Sequence, residues 1–221
     1  QRGGLILAHA GTGSIWHFSK TEVEHLMLAT VAFTVALALM FSGGIIGALS
    51  KGPIAFLLFC ILSLISLAPA FLLHEFAHKF VARQYGCWAE FRADPAGLRF
   101  VILIAAITGI LFMAPGAVMV AGNTTRPQVG RIALAGPVTN IVLWCFGYVA
   151  LVLFGGLLGL FDIVIQTWMW GNAILAAFNM LPFGPLDGRK IKTWSDPIYY
   201  TWLSIAVGVV YLTYTGTTLF A

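Results

Sequence analysis

Apolar residues run almost unbroken from Leu26 to Leu49, and again from Ile54 to about Ala82, with Lys51-Gly52-Pro53 between them. Three further stretches follow later, at Ile132–Leu160, Ile163–Leu181 and Ile198–Phe220, separated by Gly155-Gly156 and by the PFGPLDGRK segment. Each is long enough for a helix crossing a hydrocarbon core of about 30 Å, which needs roughly 20 mainly apolar residues. The Ile54 run would extend for about 43 Å as a helix at ~1.5 Å per residue, so it must tilt or kink, and Pro69 offers the place. Between Arg83 and Arg99 the chain turns polar, and the next apolar piece, Phe100–Met113, is too short for a span and favours a re-entrant segment. The pattern predicts an all-α polytopic membrane protein. It has about five transmembrane helices, plus a re-entrant or hairpin segment at about residues 88–121 between the second and third.

This is one membrane-embedded domain with no repeat and no inserted soluble unit. The N-terminal segment covers residues 1–22, and the spans fall at 23–50, 53–84, 131–160, 163–192 and 198–220. Gln1 in place of Met suggests a trimmed start, and Leu5–Ala8 is too short for the core of a signal peptide.

Composition strengthens the membrane reading. Apolar residues make up 60% of the 221 positions and charged residues 9%, too few charges to solvate a globular surface. A soluble enzyme, a disordered tail, a coiled coil and a broadly basic nucleic-acid binder are excluded. The three cysteines lack C-x-x-C spacing and read as packing residues.

Charge also arbitrates the topology. With a re-entrant fourth piece, Arg2, Lys20, Arg83, Arg92, Arg99, Arg126, Arg131, Arg189, Lys190 and Lys192 share one face and Lys51 stands alone on the other, Lys79 lying within a helix. A crossing piece would instead divide them almost evenly. Because positive charge accumulates on the cytoplasmic side, the re-entrant arrangement is expected, with the basic face in the cytoplasm. Lys79 is expected to snorkel to that interface, and His9, His17 and His25 to lie in solvent or at the interface.

One constellation carries chemistry. His74-Glu75-Phe76-Ala77-His78 is an H-E-x-x-H, and histidines four apart share a helix face, so both rings can bind one zinc with Glu75 offset towards a water. A third protein ligand must lie elsewhere. Glu90 is a candidate; Asp187, in the Pro/Gly-interrupted stretch after the Ile163 span, is the better one. The re-entrant topology places Asp187 and the histidine pair at the same face, whereas a crossing piece would part them by a bilayer.

HEFAH, then AGPVTN (Ala135 to Asn140), then NMLPFGPLDG (Asn179 to Gly188) resemble, in order and spacing, the three signatures of the site-2 protease family of intramembrane zinc metalloproteases. The resemblance spans roughly Ile54 to Ile191. It implies one zinc per chain held by His74, His78 and Asp187, with Glu75 as catalytic base and Asn140 facing the active site to help hold substrate. It also implies that an extended substrate pairs near Pro115 and Gly116. The implied activity is regulated intramembrane proteolysis of a transmembrane protein substrate, in a multi-pass cell-membrane protein whose site lies near the cytoplasmic face. A membrane metal transporter and a catalytically inactive helix-binding relative are the alternative readings. Neither the substrate nor the oligomeric state is readable from the sequence.

Overall fold

A computed structural model describes residues 17–111, 116–155 and 159–216. Among the described residues, eight helices and two strands occur in the order α1 (Lys20–Ser42), α2 (Gly44–Ser66), α3 (Ala68–Gln84), β1 (Trp88–Ala93), α4 (Pro95–Thr108), β2 (Gly116–Ala121), α5 (Arg126–Phe154), α6 (Leu160–Asn179), α7 (Asp187–Trp194) and α8 (Asp196–Gly216). Five helical stretches are long and apolar enough to cross a membrane, with α2 and α3 together forming one of 41 residues. Many large apolar side chains face outward, Ile46 at 80% and Phe146 at 68% exposure among them. Such faces suit lipid rather than water. The chain is an α-helical polytopic membrane protein.

Two boundaries differ from the sequence reading. The first helix ends at Ser42, not at Leu49, because Gly43 takes φ 83° and closes α1 with a left-handed cap. Lys51 bends back and donates its Nζ to the Ser42 carbonyl at 2.6 Å, so it caps the end of α1 instead of marking the end of a span. The break in the long second stretch falls at Leu67, just ahead of Pro69, which sits in the first turn of α3 where its missing N–H costs nothing. A second kink occurs at Gly52, with φ 85° before Pro53.

The 88–121 region is a β-hairpin-like insertion carrying a helix. β1 and β2 pair antiparallel with Phe91 opposite Val118 and Ala93 opposite Gly116, and α4 lies between them in sequence. The apolar piece expected at Phe100–Met113 is thus helical up to Thr108, started by Asp94, whose side chain accepts from the Ala96 N–H. Pro115 lies outside the described residues.

Packing forms two main cores that meet at the HEFAH motif. One joins α5, α6, α7 and α8 around Trp144, Met169, Met180, Ile191 and Tyr199; the other joins α1, α3 and β1 around Phe33, Leu37, Phe71 and Phe91. The buried indole of Trp144 donates to Thr213 Oγ1 at 2.7 Å, so its polar edge is satisfied inside the bundle. Helix α3 stands between the two cores, one side against α5 and the other against the sheet.

Candidate active site

His74 and His78 are one turn apart on α3 and both are buried. Asp187 reaches them from the first position of α7. Its carboxylate Oδ2 lies 3.4 Å from His74 Nε2 and 3.0 Å from His78 Nε2, and the two Nε2 atoms are 3.0 Å apart. Among the described residues these three form a group whose ligand atoms converge on one point.

The outer nitrogens decide what that triangle is. His78 Nδ1 lies 2.7 Å from the Ile132 carbonyl, which can only accept, so Nδ1 carries the proton and Nε2 presents a lone pair. His74 Nδ1 lies 2.6 Å from Asn140 Oδ1. That atom is the amide oxygen because Asn140 Nδ2 donates to the Ala70 carbonyl at 3.2 Å and to Asn172 Oδ1 at 2.9 Å. Asn172 is fixed in turn by donating to the Trp168 carbonyl. Three lone-pair atoms therefore face one another inside the protein, an arrangement that repels unless a cation sits among them. Their separations match the spacing of about 3.3 Å that a tetrahedral zinc with bonds near 2.0–2.2 Å imposes on its ligands. The donor set fits zinc.

Asp187 is prepared for this role. Burial alone would raise its carboxyl, but the neighbouring Lys190 ammonium opposes that and favours the carboxylate. Lys190, one turn along α7, donates to Oδ1 at 3.1 Å, which leaves Oδ2 for the histidines. A position at the start of a helix favours the anion as well.

Two glycines make the assembly possible. A Cβ on Gly136 of α5 would lie 2.5 Å from both His74 Nε2 and His78 Nε2. A Cβ on Gly188 would collide with the Met180 and Leu181 carbonyls, so only glycine lets the start of α7 close onto the end of α6. The sequence reading gives Gly136, Gly188, Asn172 and Lys190 no role of their own in the site. A helical glycine beside proline in AGPVTN is the available signal for the first, since a glycine inside a helix is costly unless something approaches closely.

Glu75 is buried, and its Oε2 has no protein hydrogen-bond partner. The Val118 backbone of β2 lies beside its carboxyl. Glu75 and His74 form part of the wall of a cavity of about 240 Å³, otherwise lined mainly by apolar side chains of α1, α3 and α6, including Phe33, Leu37, Trp170 and Leu175.

The other residues expected to matter are placed as follows. Asn140 is fully buried, with its amide hydrogen-bonded to His74, Ala70 and Asn172, which places it to orient the His74 ring. Gly116 opens β2, where a Cβ would meet the Phe91 ring at 2.5 Å and the Arg92 carbonyl at 2.7 Å. Glu90 is committed elsewhere, accepting from Ser19 at 2.9 Å and pairing with Arg92 at 2.5 Å. Lys79 does not snorkel: it is 3% exposed and pairs with Glu22 at 2.5 Å. His25 accepts from the Ala93 N–H at 3.2 Å rather than lying free at an interface.

Comparison with known proteins agrees with this chemistry. The chain is 37% identical over 192 residues to "Putative zinc metalloprotease MJ0611" of Methanocaldococcus jannaschii, covering 84% of this chain and 91% of the relative. It is 31% identical over 130 residues to "Putative zinc metalloprotease Rip3" of Mycobacterium tuberculosis, with 58% of this chain and 29% of the relative covered. It is 29% identical over 143 residues to "Putative zinc metalloprotease YwhC" of Bacillus subtilis, with 58% of this chain and 65% of the relative covered. No family model matches the chain, and no solved structure does. With its three motifs in order and a relative matched over nearly its whole length, the chain belongs to the site-2 protease family of zinc metalloproteases.

Proposed function

We propose that this protein is an endopeptidase that cuts other membrane proteins within or next to their membrane-spanning segments, at a site near the cytoplasmic face. The observation that carries the reading is the apolar cavity whose wall includes His74 and Glu75. An apolar segment is the occupant such walls accept, and it would lie directly against the reacting groups. Basic residues Arg126, Arg131, Arg189, Lys190 and Lys192 lie at the start of α5 and along α7, at the end of the bundle that holds Asp187. Their bias supports the cytoplasmic orientation.

His74, His78 and Asp187 would hold the zinc, which when bound supplies Lewis-acid polarisation of the attacking water and the scissile carbonyl. Asn140 and the Ile132 carbonyl keep both Nε2 lone pairs aimed at the site. Glu75, with Oε2 unpaired, removes the water's proton and delivers it to the leaving amine. Burial among apolar walls excludes bulk water and strengthens these interactions.

A helical substrate must first unwind, because its amides are internally bonded. Phe91 N–H points away from β2, to Glu22 Oε1 at 3.0 Å, which makes Phe91–Val118 a pair whose backbone groups face outward. By the same alternation, Val120, opposite Ala89, presents its N–H on the open edge of β2. An unwound segment can pair there as an added strand.

Val120→Pro tests this arrangement, removing one outward donor while sparing the β1–β2 ladder. With purified protein and an apolar single-span peptide, chelator-sensitive cleavage is expected for the wild type. In Val120→Pro, kcat/KM should fall about tenfold, the worth of one hydrogen bond of roughly 1.4 kcal/mol. Cleavage of soluble unfolded peptides in preference to single-span ones would oppose the proposed substrate class.

A further inference from the structure

A buried ion pair lies outside the mechanism above. Lys79 directly follows His78, yet its side chain points away from the ligands. Its Nζ reaches Glu22 Oε2 at 2.5 Å and the His17 carbonyl at 2.8 Å, and lies 3.8 Å from the centroid of the Phe18 ring. Glu22 is 1% exposed and Lys79 3%. A pair this deep carries a desolvation cost that stability alone does not require, since apolar side chains of similar size often serve as well.

The pair belongs to a closed path through the fold. From Lys79 on α3 it passes to Glu22 on α1, whose other oxygen accepts the Phe91 N–H of β1 at 3.0 Å. Phe91 stands opposite Val118 of β2. The Val118 backbone, beside the Glu75 carboxyl, returns the path to α3. Glu75 and Lys79 are four residues apart, so both ends of the path leave the same side of one helix. The edge-on contact of Phe91 with Phe71 of α3, 5.7 Å between centroids, fixes the same spacing between sheet and helix.

We infer that Glu22 and Lys79 are positioning residues for the catalytic base: the pair clamps the two-stranded sheet to α3 so that β2 meets Glu75 in one register. This rests on the proteolytic role proposed for Glu75. The link to the base runs only through backbone groups of β1 and β2, so substitutions at 22 and 79 need not touch the three ligand side chains.

The test uses the purified full chain loaded with zinc, comparing wild type with the near-isosteric Glu22→Gln/Lys79→Met double variant, which leaves no unpaired buried charge. Zinc per chain should stay unchanged. With a single-span peptide, kcat should fall about 10–100-fold with a smaller change in KM, the scale of effect expected when a reacting group is displaced by about 1 Å. Hydrogen exchange at the Val118 amide should speed up in parallel. A merely structural pair would lower the melting temperature and leave kcat unchanged well below melting. If the double variant does not fold, Glu22→Asp retains the charge while shortening its reach, and should lower kcat in the same direction. Folded, zinc-loaded variants with wild-type kcat and unchanged Val118 exchange would overturn the clamp. A wild type without zinc-dependent cleavage would overturn the proteolytic role, while Val118 exchange would still decide whether the pair holds β2.

Discussion

Glu75→Gln is expected to keep its zinc and lose its proteolysis. Glu75 Oε2 has no protein hydrogen-bond partner, and the three ligand side chains are held by Asn140, Ile132 and Lys190 instead, so metal content should remain one per chain. Glutamine preserves shape, but it cannot take up the water's proton. Loss of a positioned general base costs about 10²–10⁴ in rate, so kcat should fall by at least two orders of magnitude while KM changes little. Steady-state cleavage of a single-span peptide checks the rate, and metal analysis of the same sample checks the site. A variant that loses zinc would reassign Glu75 to holding the site together.

Gly136→Ala carries the second large effect. A Cβ at that position would lie 2.5 Å from both Nε2 atoms and 2.6 Å from His74 Cε1. Neither ring can retreat freely: Asn140 and the Ile132 carbonyl hold them from behind, and Asp187 faces them. The methyl must therefore displace a ring or move α5 away from α3. Disturbing even the groups around ligands typically weakens metal binding about 10–100-fold, and a direct intrusion should do at least as much. Zinc titration of the metal-free protein checks the affinity. Cleavage at sub-saturating zinc should fall with it, and excess zinc should restore part of the activity if the rings remain present. Wild-type zinc affinity in Gly136→Ala would contradict so close an approach of α5 to the two histidine rings.

Much of this was readable from the chain because its signals are local. Long uncharged runs announce helices, the four-residue spacing of His74 and His78 fixes a shared face, and the Pro/Gly-interrupted stretch before Asp187 marks backbone free to bend towards them. What escaped is long-range. Glu22 and Lys79 are 57 positions apart, and a lysine near a helix end looks the same in sequence whether it snorkels or pairs. Asn140 shows the limit of motif reading. AGPVTN locates it beside the site, but only the geometry shows its amide hydrogen-bonded to His74, Ala70 and Asn172. The α1 boundary moved for a local reason that was legible in kind: Gly43 and Gly44 interrupt the Leu26–Leu49 run, and a left-handed cap there outweighs continued hydrophobicity.

The central claim is that His74, His78 and Asp187 together hold one metal ion. Zinc per chain, measured by mass spectrometry on purified wild type and on Asp187→Ala, tests it most directly. The account predicts one zinc in the wild type and a loss of most of it in the variant, with helical content retained. A full complement of zinc in Asp187→Ala, or none in the wild type after loading, would contradict it.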